Sequence, residues 1–116
     1  LVSRLGFHFS GEEGRLLENM VYIELRRRGG EVFYHNSGSA ECDFVVRDGF
    51  RVMQAIQVCY LLDSSDTRER EIRGVQDAMD TYQLLEGTIV TNTHEEEVKC
   101  GDKIIHILPA WKWLRL

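Results

Sequence analysis

The sequence predicts an α/β domain, a three-layer α/β/α sandwich with helices on both faces of a mixed central sheet. Three observations predict it. The patterned segments run helix, three strands, helix, strand and a closing hairpin, an alternation that stacks helices on a sheet. The strand around Phe44 and Val45 is apolar on both faces, as a strand covered on each side should be. The first helical segment is apolar nearly all round and must be largely buried.

From Gly14 to Arg28 there is no proline, and Leu16, Leu17, Met20, Val21, Ile23 and Leu25 carry the apolar surface. Gly29-Gly30 ends this helix, with Arg26 to Arg28 complementing the negative end of its dipole. Glu31 to His35 follows as a first strand, then Asn36-Ser-Gly-Ser supplies turn chemistry. Glu41 to Arg47 and Phe50 to Tyr60 are β-branched and aromatic runs joined at Asp48-Gly49, which predicts a hairpin. Ser64-Ser-Asp66 opens a second helix, with Asp66 and Glu69 in capping-box spacing and Ile72, Val75, Met79 and Tyr82 at helical intervals to about Glu86. Gly87 to Thr91 is a short buried strand, Glu95 to Glu97 a solvated turn, and a final hairpin turns at Cys100-Gly-Asp102 into Lys103 to Leu108, before Pro109-Ala-Trp-Lys-Trp-Leu114.

At 116 residues the chain amounts to one domain, residues 1–116, large enough to build a core without metals or disulfides. Its three cysteines, Cys42, Cys59 and Cys100, are odd in number and widely spaced, so neither a disulfide framework nor a CxxC zinc pattern is expected, and a reducing cytoplasm is the natural setting. No run approaches a membrane span, and no targeting segment is visible. The start at Leu1, running into Phe7-His-Phe-Ser-Gly, suggests a domain cut from a longer polypeptide. Fourteen Lys and Arg against 19 Asp and Glu leave a net charge of −5, which weighs against a general nucleic-acid binder. The basic clusters Arg26 to Arg28 and Arg68, Arg70, Arg73 are expected on solvated helix faces.

The chemistry concentrates in Glu41-Cys-Asp43-Phe-Val-Val and Gln54-Ala-Ile-Gln57-Val-Cys59, where acidic and amide side chains interrupt apolar strands. Buried polar groups need partners. Glu18 stands on the helical stripe of Gly14, Val21, Tyr22 and Leu25, surroundings that raise a carboxylate's pKa unless a cation or donors compensate. Glu24 lies on another face and is read as structural. Residues opposite one another in a hairpin share a face, so the turn decides which groups meet. A three-residue turn with Gly49 left-handed and a bulge would pair Asp43 with Met53 and set Glu41, Asp43, Ala55, Gln57 and Cys59 on one face. No histidine stands in a nucleophile context, His94, Cys100 and His106 match no zinc spacing, and there is no GxxxxGK[ST] phosphate loop.

Glu18, Asp43 and Gln57 together resemble the divided active site of the PD-(D/E)XK, or restriction-endonuclease-like, nucleases, whose common core has the order αβββαβ, here with a C-terminal hairpin added. The resemblance implies Mg²⁺ or Mn²⁺ held by oxygen ligands, to polarise a phosphate and activate water. Asp43 would be the central ligand, Gln57 would take the place of the second acid, and Glu18 would complete the set. Cys59 stands where those enzymes carry lysine, and it has no positive charge at any pH. Gln57 is neutral, so such an ion would bind weakly. Arg70 or Arg73 would have to supply the missing cation.

The segments Gly14-Arg-Leu-Leu-Glu-Asn-Met-Val-Tyr-Ile-Glu-Leu-Arg-Arg-Arg-Gly29, Glu41-Cys-Asp-Phe-Val-Val, Ile56-Gln-Val-Cys-Tyr60 and Ile107-Leu-Pro-Ala-Trp-Lys-Trp-Leu114 look like the C-terminal domain of unknown function found on bacterial and archaeal P-loop (AAA+-like) ATPases. That resemblance, from Phe7 to Leu116, implies an N-terminal ATPase module as partner. The expected function is a nuclease-like accessory domain with a degenerate metal site, recognising nucleic acid or a partner. The alternatives are an active metal-dependent deoxyribonuclease, and a module that dimerises the ATPase through the final hairpin, Trp111 and Trp113.

Overall fold

In the computed structural model, which describes residues 11–116, the first element is a helix, α1 (Glu12–Arg27). The Phe7-His-Phe-Ser stretch read as an abrupt start lies outside the described residues. Glu12 and Glu13 at the positive end of α1, and Arg26 and Arg27 at its negative end, favour the helix dipole. The burial is narrower than predicted. Leu17, Val21 and Leu25 form one buried stripe, whereas Leu16 and Ile23 are about two-thirds exposed because α1 has the sheet on one side only.

Among the described residues six strands form one mixed sheet: β1 (Glu31–Asn36), β2 (Glu41–Asp48), β3 (Arg51–Val58), β4 (Glu86–Thr91), β5 (Glu96–Cys100) and β6 (Lys103–Pro109). Their spatial order is β1-β2-β3-β4-β6-β5. β3 with β4 and β4 with β6 are parallel, and the other pairs are antiparallel. The parallel step from β3 to β4 is bridged by the helix α2 (Ser65–Tyr82), and a short helix, α3 (Ala110–Trp113), follows β6.

Several boundaries differ from expectation for local reasons. Ser64, not Asp66, caps α2, its hydroxyl accepting the Thr67 N–H at 3.1 Å. The helix stops at Tyr82 because Gln83 turns left-handed and the Leu84 N–H closes back on the Met79 carbonyl. Glu96 and Glu97 form no solvated turn. They open β5, which adds to the edge of β6, with Glu96 paired to Arg68 and Glu97 facing His106.

Alternation along the strands feeds two apolar clusters. One joins Phe44, Val46, Ile56, Val58 and Val90 to Leu17, Val21 and Leu25 of α1 and Trp113 of α3. The other joins Val45, Ala55, Ile89, Ile105 and Ile107 to Val75, Ala78 and Met79 of α2. No helix among the described residues is long and apolar enough to cross a membrane.

The hairpin register departs from the predicted one. Asp48 pairs with Arg51 across a two-residue turn, Gly49-Phe50, with Gly49 left-handed at φ 66°. Val46 then pairs with Gln54 and Arg47 with Val52, so Met53 is the extra residue of a bulge in β3. The ladder runs on through Val45↔Ala55 to Phe44↔Ile56. The ladder ends there, so Asp43 does not pair with Met53. β2 also bulges against β1, where Phe33 pairs with Val45 but His35 with Cys42, so Asp43 stands at an irregular step of its strand and meets Gln57 through the side-chain amide and not through the ladder.

Candidate functional site

Gln57 sits where the β2–β3 ladder ends, and its side chain continues the ladder. The Asp43 N–H donates to Gln57 Oε1 at 2.7 Å, while Gln57 Nε2 donates to the Glu41 carbonyl at 3.0 Å and reaches toward the Glu71 carbonyl at 3.5 Å. Two carbonyls can only accept and one N–H can only donate, so the network fixes the orientation of the amide. The carboxamide thus stands in for a peptide group between two separating strands. Its oxygen, the atom a metal would need, already holds a backbone hydrogen bond.

Asp43 is buried beside it, with Oδ2 accepting the Val58 N–H at 2.9 Å. Cys59, just beyond β3, turns its thiol to the Leu61 carbonyl. Burial, reinforced by Glu71, pushes that thiol up to about 12, so it stays protonated and uncharged. Burial likewise raises the Cys42 thiol, and all three cysteines are free. Glu18, on α1, is half-buried. Glu24 is bound by Arg27 and Arg28, whose hydrogen bonds hold its carboxyl down at about 2.

Beside Gln57 opens a cavity of about 300 Å³, lined by Ser39, Glu41, Gln57, Arg70, Glu71 and Arg73. α2 forms one wall of it and comes down hard on the start of β2. A Cβ on Gly74 would collide with the Glu41 carbonyl and with Gln57 Nε2, and only glycine permits that approach in mid-helix. One turn earlier, Glu71 is lowered into the same gap. It is 2% exposed, and its Oε2 lies 3.5 Å from Arg70 Nε. Burial pushes its carboxyl up to about 7, Arg70 opposing the rise and Glu18 and Glu41 adding to it.

Glu71 was absent from the sequence-based candidates although a signal existed. Glu71, Gly74, Val75 and Ala78 follow the i, i+3, i+4, i+7 spacing of a buried stripe, the argument that singled out Glu18. Arg70 and Arg73 line the cavity, not a wholly solvated face. Among the described residues no three His, Cys, Asp or Glu side chains form a metal cage. Mg²⁺ needs fewer protein ligands, commonly one or two carboxylates and several waters, and the cavity walls offer that donor class in Glu41 and Glu71.

A second polar group joins β1 to α2. His35 is buried, with Nε2 2.7 Å from Asp77 Oδ2 and Nδ1 3.1 Å from the Tyr82 hydroxyl. Asp77 as a carboxylate can only accept, so Nε2 carries the proton, and the hydrogen bond from His35 keeps the Asp77 carboxyl below its ordinary range. His94 and His106 are engaged by glutamates, His94 by Glu96 and His106 by Glu86 and Glu97.

Comparison with known proteins places the chain in a family without assigning it a role. The chain is 37% identical over 115 residues to the uncharacterized protein MJ1544 of Methanocaldococcus jannaschii. The match covers 90% of this chain and 25% of that protein, so the chain spans about a quarter of the length of the curated relative it matches. No solved structure matches. Residues 13–113 match the family described as Domain of unknown function (DUF4143), and this chain belongs to it.

Proposed function

We propose that the chain is a nuclease-like accessory domain of a larger ATP-binding protein, with a restriction-endonuclease-like three-layer core and a weakened divalent-metal site, and that it recognises nucleic acid through its phosphates. The observation that carries this reading is one cavity in which Arg70 and Arg73 stand beside Glu41, Gln57 and Glu71. Arginine is suited to phosphate because its planar fork donates two parallel hydrogen bonds. The net charge of −5 makes the contact local, confined to this end of the sheet.

The order α1-β1-β2-β3-α2-β4 supports the three-layer reading, as do separate apolar clusters drawing on α1 and on α2. The length of the relative, about four times the matched portion, supports a role as one part of a larger protein. A bound Mg²⁺ or Mn²⁺ would polarise a phosphate oxygen and activate water. Asp43 and Glu18 are the carboxylates the nuclease resemblance assigns to it. The site is weak because Gln57 is neutral and its oxygen is already engaged by Asp43, and because Cys59 brings no charge.

The test is fluorescence anisotropy of labelled single-stranded and duplex DNA against salt, for the chain and for Arg70→Ala/Arg73→Ala. Binding weakened in the double variant, with the log–log salt slope reduced by roughly 1.4 on single strands and 1.8 on duplex for two lost phosphate contacts, is the expected result. Equal binding by both proteins, or none at low salt, ends the reading. Cleavage in Mn²⁺ that Asp43→Ala abolishes would promote the runner-up, an active deoxyribonuclease with an arginine in place of lysine.

A second reading, self-association, is favoured by a separate surface. Leu16, Met20, Ile23 and Leu114 line a shallow apolar pocket between α1 and the end of α3, and Trp111 nearby in sequence is 58% exposed. Such a surface fits a partner subunit or the rest of a longer chain. Sedimentation velocity over a range of concentrations, with and without chelator, tests it. A monomer throughout would remove it.

A further inference from the structure

We propose that Glu71 supplies the divalent-cation ligand that β3 lacks, holding the ion together with Glu41 in the cavity beside Gln57. The inference rests on the metal-site part of the function proposed above and relocates that site from the strand to the helix.

Gln57 is poorly placed to serve. Its oxygen faces the Asp43 N–H and its nitrogen faces two carbonyls, an orientation that cannot reverse without setting oxygen against oxygen. Glu71 presents the opposite situation. Its side chain is 3% exposed, and its Oε1 is buried with no hydrogen-bond partner among the described residues. The ion pair on its Oε2 is with Arg70, whose side chain is half-exposed. A buried carboxyl oxygen left this way carries a desolvation cost that a ligand would remove.

Carboxylates gather on the side of the cavity next to Gln57, while Arg70 and Arg73 line it as well. Glu41 lines the same cavity, and the charges of Glu18 and Glu41 bear on Glu71 through a poorly solvated gap. A divalent ion would turn that repulsion into coordination, with water filling its remaining positions. The backbone supports the placement, because the missing Cβ of Gly74 lets α2 approach the Glu41 carbonyl and brings Glu71 within the cavity wall. The competing state is a Glu71 that simply stays protonated, with no ion.

The experiment is a Mn²⁺ titration of the 116-residue chain, followed by calorimetry and by paramagnetic broadening of its amide resonances. In the wild type, Ser39 to Glu41 and Arg70 to Gly74 should broaden first. Glu71→Gln and Glu41→Gln should each weaken Mn²⁺ binding by roughly tenfold or more, at least the scale on which groups tuning a metal site act, with unchanged far-UV circular dichroism. Broadening centred on Glu95 to Glu97 overturns the inference, and that readout needs no variant. Wild-type affinity in Glu71→Gln with loss in Asp43→Asn also overturns it, while leaving a nuclease-like site on Asp43 intact. No Mn²⁺ binding at millimolar concentration removes both the Glu71 role and the metal part of the proposed function, and phosphate recognition is then judged by the DNA titration alone.

Discussion

The side-chain amide of Gln57 donates to the backbone carbonyl of Glu41 at 3.0 Å, a bond between the end of one strand and the beginning of its neighbour. With the Asp43 N–H on its oxygen, the amide replaces the peptide group that a regular ladder would have placed there. Removing it by Gln57→Ala leaves the buried Asp43 N–H unpaired, at about 1–3 kcal/mol, and the part-buried Glu41 carbonyl beside the cavity, at about 1 kcal/mol. Urea unfolding should report a loss of roughly 2–4 kcal/mol. A change within ~0.5 kcal/mol, typical of a surface position, would show that water takes over the role.

Gly74 in mid-helix invites substitution by alanine, which by helix propensity alone would add about 1 kcal/mol of stability. The added methyl would meet the Glu41 carbonyl and Gln57, and overpacking of that kind costs about 1–3 kcal/mol even where neighbours can yield. Here one neighbour is backbone. Gly74→Ala is expected to lower Tm, and a raised Tm would mean that α2 can lift off the sheet freely.

Glu71 makes stability depend on pH in a definite direction. Its folded pKa of about 7 lies above the ordinary 4.5, so the native state holds the proton more tightly than the unfolded chain. The contribution is complete below pH 4.5 and is lost as pH rises through 7. Glu71→Gln cannot titrate, so in chelator the variant should gain on the wild type between pH 5 and pH 8, by about 1–3 kcal/mol. Asp77 and Glu96, both held below their ordinary values by histidine partners, shift stability the other way. They are common to both proteins and cancel in the difference. Parallel curves from pH 5 to 8 would contradict the burial argument.

The two tryptophans should separate cleanly. Trp113 is 3% exposed within the cluster around α1, and Trp113→Ala is expected to cost about 3–5 kcal/mol. Trp111, 58% exposed, should cost within about 0.5 kcal/mol as a monomer. A larger loss from Trp111→Ala that grows with protein concentration would reveal a self-association surface.

Much of the fold was legible because it rests on short-range pattern. Helical spacing located α1 and α2, Gly49 marked the hairpin turn, and the run Gly87 to Thr91 marked β4, each from neighbours in sequence. The register of that hairpin was not legible, because a turn one residue later and a bulge at Met53 leave no composition signal. The site was half legible. Asp43 and Gln57 stood out as polar residues in apolar strands. Glu71 hid in a helix rich in charge, and its burial follows from Gly74, whose purpose appears only once the Glu41 carbonyl is seen against it. His35 was passed over for a similar reason, since Asp77 and Tyr82 lie more than forty residues away.

Arg28 stacks 4.8 Å over Trp113 and reaches toward the carbonyls of Trp113 and Leu114, fastening the end of α1 to α3. Leu17, Val21 and Leu25 therefore share their cluster with a side chain made some ninety residues later. A ribosome releases the chain from its amino end, so the apolar stripe of α1 emerges long before the residue that seals it. Vectorial synthesis leaves the cluster around that stripe incomplete until Trp113 clears the exit tunnel, even though β2, β3 and β4 have emerged, and a nascent chain stalled before it should be captured by chaperones more readily than the complete one.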